Sequence, residues 1–343
     1  MIADRERTAE RLLNSSARNS YDPDVDIDWA ADLLPDKYFL PAHRCTLYGT
    51  PLWDRLSEQQ RIELTRHELA SIASVGIWFE VILMELLVRH SYNADPLARH
   101  TQYALTEVAD ECRHSVMFAR LIEKVGCPAY GPGRTAQRLG RIFGSIAFGP
   151  SMFAGILVAE EITDALQRES MADSSVQPLV RMVNRIHVIE EARHVRYARE
   201  EVLRGTPGLS RAALSYHRAM LARTAFIVTR ALVHPRVYRS VGLDPYEARR
   251  VAWANPHYRE TLRWAAAKLT SFLGENNLIA APAARSGRPW PWCENNRSGK
   301  PWLWSGNNFV AATVARSRRP WLWSGTSFVG GPCREVGESV APV

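Results

Sequence analysis

The sequence predicts an all-α protein: a helix bundle with additional helices and a poorly structured C-terminal tail. From about residue 26 to residue 274, apolar residues recur at spacings of three and four, the period of a helix with one buried face. No stretch alternates apolar and polar residues convincingly enough for a β-strand. Glycine and proline fall mainly between the periodic segments, as in "GCPAYGPG" (126–133) and "RGTPGLS" (204–210), where they act as breaks.

Taken in order, residues 1–25 are polar and are expected to form a flexible N-terminus. "DIDWAADLLPDKYFLP" opens the main domain, expected over 26–280. Long helices are predicted at roughly 56–91, 97–125, 150–170, 175–204, 209–232 and 245–273, several of them of bundle length. The uncharged run 142–159 raises the question of a membrane span. Pro150 lies in its middle and suits the first turn of a helix, and Glu160 and Glu161 follow at once. A buried core helix starting near Pro150 is therefore expected, and no membrane segment.

Residues 281–343 change character. "RPWPW", "KPWLWSGNNFV" and "RPWLWSGTSFV" form an imperfect repeat with six of the eleven tryptophans. This reads as a low-complexity extension, or even an altered reading frame, with an aromatic interaction module as the alternative. The same segment carries eight basic and three acidic residues. It thus supplies five of the seven excess positive charges of the chain. The remaining excess is too small to point to a nucleic-acid partner. Five scattered cysteines without a CxxC pair, and an N-terminus without an apolar signal region, predict a reducing, cytoplasmic setting.

The chemistry gathers in "HVIEEARH" (187–194). His187, Glu191 and His194 stand at i, i+4 and i+7, on one side of one helix. Alone, this pattern fits a solvated face as well as a ligand face. A second copy exists in "ADECRH", where Glu111 and His114 repeat the i, i+3 pair with the same flanks: acid, Glu, any residue, Arg, His. Dinuclear bundle sites use this spacing for a carboxylate and an imidazole, with one further carboxylate from each of two other helices. Glu80 in "VGIWFEVILMELLV" and Glu160 after "MFAGILVA" are embedded in apolar sequence. An unpaired buried carboxylate there would cost several kcal/mol, on the order of what a metal would offset.

Glu80 and Glu111 are 31 positions apart, and so are Glu160 and Glu191. The chain thus reads as two halves closing one site. Glu161 could replace Glu160, and Glu85 could replace Glu80 or face outward. Asp110, Glu190, Arg113 and Arg193 either orient the imidazoles and balance charge or form ordinary surface ion pairs. Cys112 is expected to be a small core residue, and the other seven histidines structural. Nucleotide-binding and hydrolase motifs are missing.

The set Glu80, Glu111, His114, Glu160, His187, Glu191 and His194 resembles the ferritin-like di-iron carboxylate proteins. Within them it is most similar to the para-aminobenzoate N-oxygenase family, the arylamine oxygenases of antibiotic biosynthesis. The third histidine, His187, carries this likeness, since most bundle di-iron sites have two. "VAEEITDAL" resembles the family's segment around its third-helix glutamate, which favours Glu160 over Glu161, and Glu80-x4-Glu85 matches similarly. The likeness covers about 40–270 and leaves out the Trp-rich tail. It implies all seven residues as ligands of two iron ions, with O2 as co-substrate. It further implies a small-molecule amine oxidised through hydroxylamine and nitroso to nitro stages, and an external redox partner as electron donor. A homodimer is the default expectation. The runner-up function is hydroxylation or desaturation of another metabolite at the same site. Iron oxidation or storage, or a helical binding protein with surface Glu/His pairs, follow behind.

Overall fold

The computed structural model describes residues 4–279; the Trp-rich tail expected over 281–343 lies outside the described residues. The described residues hold twelve α-helices and no strand. These are α1 (Arg5–Arg18), α2 (Pro23–Asp26), α3 (Pro51–Asp54), α4 (Glu58–Ser91), α5 (Arg99–Lys124), α6 (Arg134–Ile146), α7 (Gly149–Ala172), α8 (Pro178–Gly205), α9 (Arg211–Ala231), α10 (Pro245–Ala254), α11 (Pro256–Ala265) and α12 (Ala267–Glu275). The all-α bundle that the sequence predicts is the fold observed.

Helices α4 and α5 form one hairpin and α7 and α8 another, each joined by a short loop that forces antiparallel packing. Ser57 starts α4 with a reciprocal cap: its hydroxyl accepts from the Gln60 amide, and the Gln60 side chain accepts from the Ser57 amide, which satisfies two otherwise orphaned donors. The hairpins explain the repeated spacing of 31. Glu80 lies eleven residues before the end of α4 and Glu111 twelve after the start of α5. At about 1.5 Å of rise per residue, both therefore sit roughly 17 Å from the connection. Glu160 and Glu191 are placed the same way on α7 and α8.

A polar layer interrupts the apolar core at this level. On one side lie Leu83, Leu86, Tyr103, Phe153, Leu157 and Tyr197. On the other lie Leu69, Met117, Phe118, Leu121, Val183 and Ile186. Helix α4 is long and apolar enough to cross a membrane. Here its Val75, Phe79, Leu83, Leu86 and Leu87 are buried against the other helices.

Four sequence expectations are corrected. Residues 1–25 are not loose throughout, because α1 lays Ala9 and Leu12 into the core. Arg5 Nε and Nη2 hold the Glu201 carboxylate at 2.8 and 2.9 Å. Two apolar residues and one bidentate ion pair are too sparse a pattern for periodicity to reveal. The helix expected over 245–273 is three helices: Pro256 removes a backbone donor, and Asn255 caps the new start by accepting from the His257 amide. The third is α6, which no periodic segment announces. Its Gly140 sits so close to α4 that a Cβ there would run into the Trp78 ring and come within 2.8 Å of Ile82 Cδ1. Finally, Cys112 is exposed rather than a core residue. The run 142–159 is divided between α6 and α7, with Pro150 in the first turn of α7 as expected.

Candidate metal centre

Seven side chains meet in the polar layer, each at most 3% exposed: Glu80, Glu111, His114, Glu160, His187, Glu191 and His194. They fall into two groups whose donor atoms lie within 4.8 Å of one another, Glu111–His114–Glu191–His194 and Glu80–Glu160–His187. All seven sequence candidates are therefore brought together. Of the alternatives, Glu161 turns away to Arg199, whose Nε donates at 2.8 Å, and Glu85 is exposed.

The first group is cross-braced. His114 Nδ1 stands 2.9 Å from Glu111 Oε2 and 3.4 Å from Glu191 Oε1. His194 Nδ1 stands 2.8 Å from Glu191 Oε1 and 2.9 Å from Glu111 Oε1. The outward nitrogens use the acids that precede the glutamates, and they exchange helices to do so. His114 Nε2 reaches Glu190 at 2.9 Å, and His194 Nε2 reaches Asp110 at 3.1 Å. An imidazole that donates outward to a carboxylate keeps its other nitrogen as a lone-pair donor inward. Arg113 bonds Asp110, while the buried Arg193 lies 3.5 Å from Asp110 and 3.6 Å from Glu190. The segment after α1 closes this ring: the Tyr21 amide donates to Glu190, and Arg193 donates to the Asn19 carbonyl.

In the second group, His187 Nε2 lies 3.6 Å from Glu80 Oε1 and 3.8 Å from Glu191 Oε1. Its Nδ1 meets Gln167 Oε1 at 2.8 Å. An amide oxygen can only accept, so Nδ1 carries the hydrogen and the Nε2 lone pair faces the carboxylates. Gln167 has no precedent in the sequence reading. Its signal is positional, since it stands seven residues after Glu160 on the same face of α7. Glu107 was also missed. One turn before Glu111, it is buried with Oε2 unpartnered.

Electrostatics sort the two groups. Burial, together with the fields of the neighbouring carboxylates, holds Glu80 and Glu160 well above the ordinary carboxyl range. Burial pushes His187 down to about 4 and Glu107 up to about 8. Burial also opposes charge on His114 and His194. The surrounding carboxylates outweigh it and hold both well above an ordinary histidine. Conversely Glu191 is drawn well below its ordinary value, chiefly by His194 against the burial cost.

Four atoms of the cluster are buried and make no hydrogen bond: Glu80 Oε2, His187 Nε2, Glu191 Oε2 and Glu111 Oε1, the last lying 2.9 Å from His194 Nδ1 without hydrogen-bonding geometry. Each such orphan costs about 1–3 kcal/mol or more, and all four belong to the groups that could hold a metal. Oxygen and imidazole donors of this kind suit iron, manganese and zinc. The residues present therefore fit a pair of divalent ions.

Comparison with known proteins was consistent with this donor set. The family model described as P-aminobenzoate N-oxygenase AurF matches residues 2–277. Uncharacterized proteins of Mycobacterium bovis and Mycobacterium tuberculosis are 30% identical over 209 residues, 58% of this chain and 61% of each relative. The chain thus spans about three fifths of the length of these relatives.

Proposed function

This chain belongs to the P-aminobenzoate N-oxygenase family, and from that premise we propose that it is a di-iron oxygenase that inserts oxygen into the amino group of an arylamine. The observation that carries the reading is the convergence of four buried carboxylates and three buried imidazoles with four orphaned donor atoms among them. Two ferrous ions cancel the charge of four carboxylates. Outside them, Asp110 and Glu190 are matched by Arg113 and Arg193. No net charge is then left buried, the condition under which so many ionised groups tolerate the interior.

When bound, iron would supply the redox chemistry that brings O2 to the substrate. The residues of the chain supply the rest. Glu80, Glu111, Glu160, Glu191, His114, His187 and His194 would be the ligands. Asp110, Glu190 and Gln167 fix the direction in which each imidazole lone pair points. The first oxidation balances as amine plus O2 plus two electrons and two protons, giving hydroxylamine and water. The two electrons come from an external donor such as a ferredoxin- or flavin-type reductant.

The test is anaerobic loading with ferrous iron, followed by O2 and a panel of arylamines. Two irons per chain, with hydroxylamino, nitroso or nitro products, are expected. Two irons with O2 consumption and hydroxylation only at carbon would replace N-oxygenation by C–H oxidation. No iron uptake, or uptake unaltered in Glu191→Ala and His187→Ala, would remove the metal reading.

A further inference from the structure

A cavity lies beside Glu80, Glu160 and His187. It runs between α4, α5, α7 and α8, and its wall is mainly apolar, with Leu69, Ile72, Phe79, Phe118 and Leu121. Phe79 and Glu160 also line a second apolar cavity, under α6. The benzoate named in the family description is an anion, and a buried anion needs a cation or several donors.

Among the described residues, Arg44 is the one lysine or arginine in the wall of the first cavity, and it is already engaged. Its Nε donates to Glu169 Oε2 at 2.5 Å and its Nη2 to Glu169 Oε1 at 3.0 Å. Its Nη1 donates to Thr261 at 3.1 Å, and its guanidinium carbon lies 3.9 Å over the Trp264 ring. The charge is cancelled by Glu169, and the face is covered. Glu80 and Glu160, in the same wall, are carboxylates and offer a second anion no compensating cation. Neutral polar groups remain. Ser170 Oγ is buried without a hydrogen-bond partner, and Asn184, 4% exposed, lines the same wall.

Resting on the reading of the centre as an arylamine oxygenase, we propose that this chain takes uncharged arylamines rather than aminobenzoates. The ring lies among the apolar residues. A neutral hydrogen-bonding substituent meets Ser170 and Asn184, and the amino group faces Glu80, Glu160 and His187.

The probe is a matched pair of nearly one shape, 4-aminobenzamide and 4-aminobenzoate, titrated calorimetrically into iron-loaded protein without O2. Binding of the amide at least tenfold tighter than the acid is expected. Glu169→Gln, which leaves the Arg44 charge uncancelled, should narrow that ratio several-fold by strengthening the acid. Asn184→Leu should weaken the amide alone. Equal or tighter binding of the acid to the unmodified protein overturns the charge selectivity and leaves N-oxygenation standing. Binding of neither compound overturns both readings. Failure to take up iron removes the oxygenase reading alone, and the order amide over acid is then read in the metal-free protein.

Discussion

His114 on α5 and Glu190 on α8, seventy-six positions apart, meet at 2.9 Å. His194 on α8 and Asp110 on α5 return the arrangement at 3.1 Å. Each hairpin therefore orients the imidazole of the other. Locking a ligand imidazole through its outer nitrogen commonly changes metal affinity by about 10- to 100-fold. Asp110→Asn keeps the shape of the acid but removes its charge. We expect iron affinity to fall on that scale, measured by competition with a chelator, with helical circular dichroism unchanged. Affinity equal to wild type would show that the Asp110–His194 contact merely fills space.

Metal uptake should release protons. In the metal-free site Glu80 and Glu160 are held above the ordinary carboxyl range, and His114 and His194 above the ordinary histidine range. Each of these four is shifted towards its protonated form, so a metal ion competes with protons for it, whereas His187, at about 4, is already neutral. Binding must strengthen as pH rises, by about a factor of ten per pH unit for each proton displaced. Calorimetry of iron or zinc binding in buffers of different ionisation enthalpy counts the protons directly. A count of zero would contradict the assignment.

A second buried acid, Glu68, lies in a separate cluster near the start of α4. It accepts from the Thr46 amide at 3.1 Å and from the Thr46 hydroxyl, which also meets Tyr238 at 2.9 Å. Burial pushes its carboxyl from an ordinary 4.5 up to about 7. Between those values the folded chain holds a proton that the unfolded chain has lost. Stability therefore falls as pH rises from about 4.5 to about 7, by roughly 3 kcal/mol at about 1.4 kcal/mol per pH unit. Glu68→Gln should flatten that slope in urea denaturation series and leave the variant the more stable at pH 8. An unchanged slope would mean that another group sets it.

The site was legible in the sequence to the extent that it repeats. Glu111 and His114 share a pattern with Glu191 and His194, and Glu80 and Glu160 stand at equal distances from them, because antiparallel arms of equal length impose that spacing. What stayed hidden lies in single contacts across the fold. Gln167 reaches His187 only because α7 packs along α8. The Tyr21 amide reaches Glu190 only because α1 docks against α5 and α8. Cys112 sits beside two motif residues on a long amphipathic helix, yet it faces outward. Neighbours in sequence are about 100° apart on a helix, and composition does not say which direction is covered.

Helix α6 offers a test in which two effects have opposite signs. In a helix interior, replacing glycine by alanine ordinarily stabilises by about 1 kcal/mol, because less backbone freedom is lost on folding. At Gly140 the added methyl would meet the Trp78 ring and Ile82 Cδ1, atoms that also wall the cavity under α6. Overpacking of this kind typically costs about 1–3 kcal/mol. Trp78 is a rigid ring held against Phe79 at 5.3 Å between centroids, so it cannot yield cheaply, and the steric cost should win. Gly140→Ala is expected to be less stable than wild type in urea denaturation, with reduced volume left for a ligand beside Phe79. A gain in stability would mean that α6 shifts outward at little cost, and that its approach to α4 is not what holds Trp78 in place.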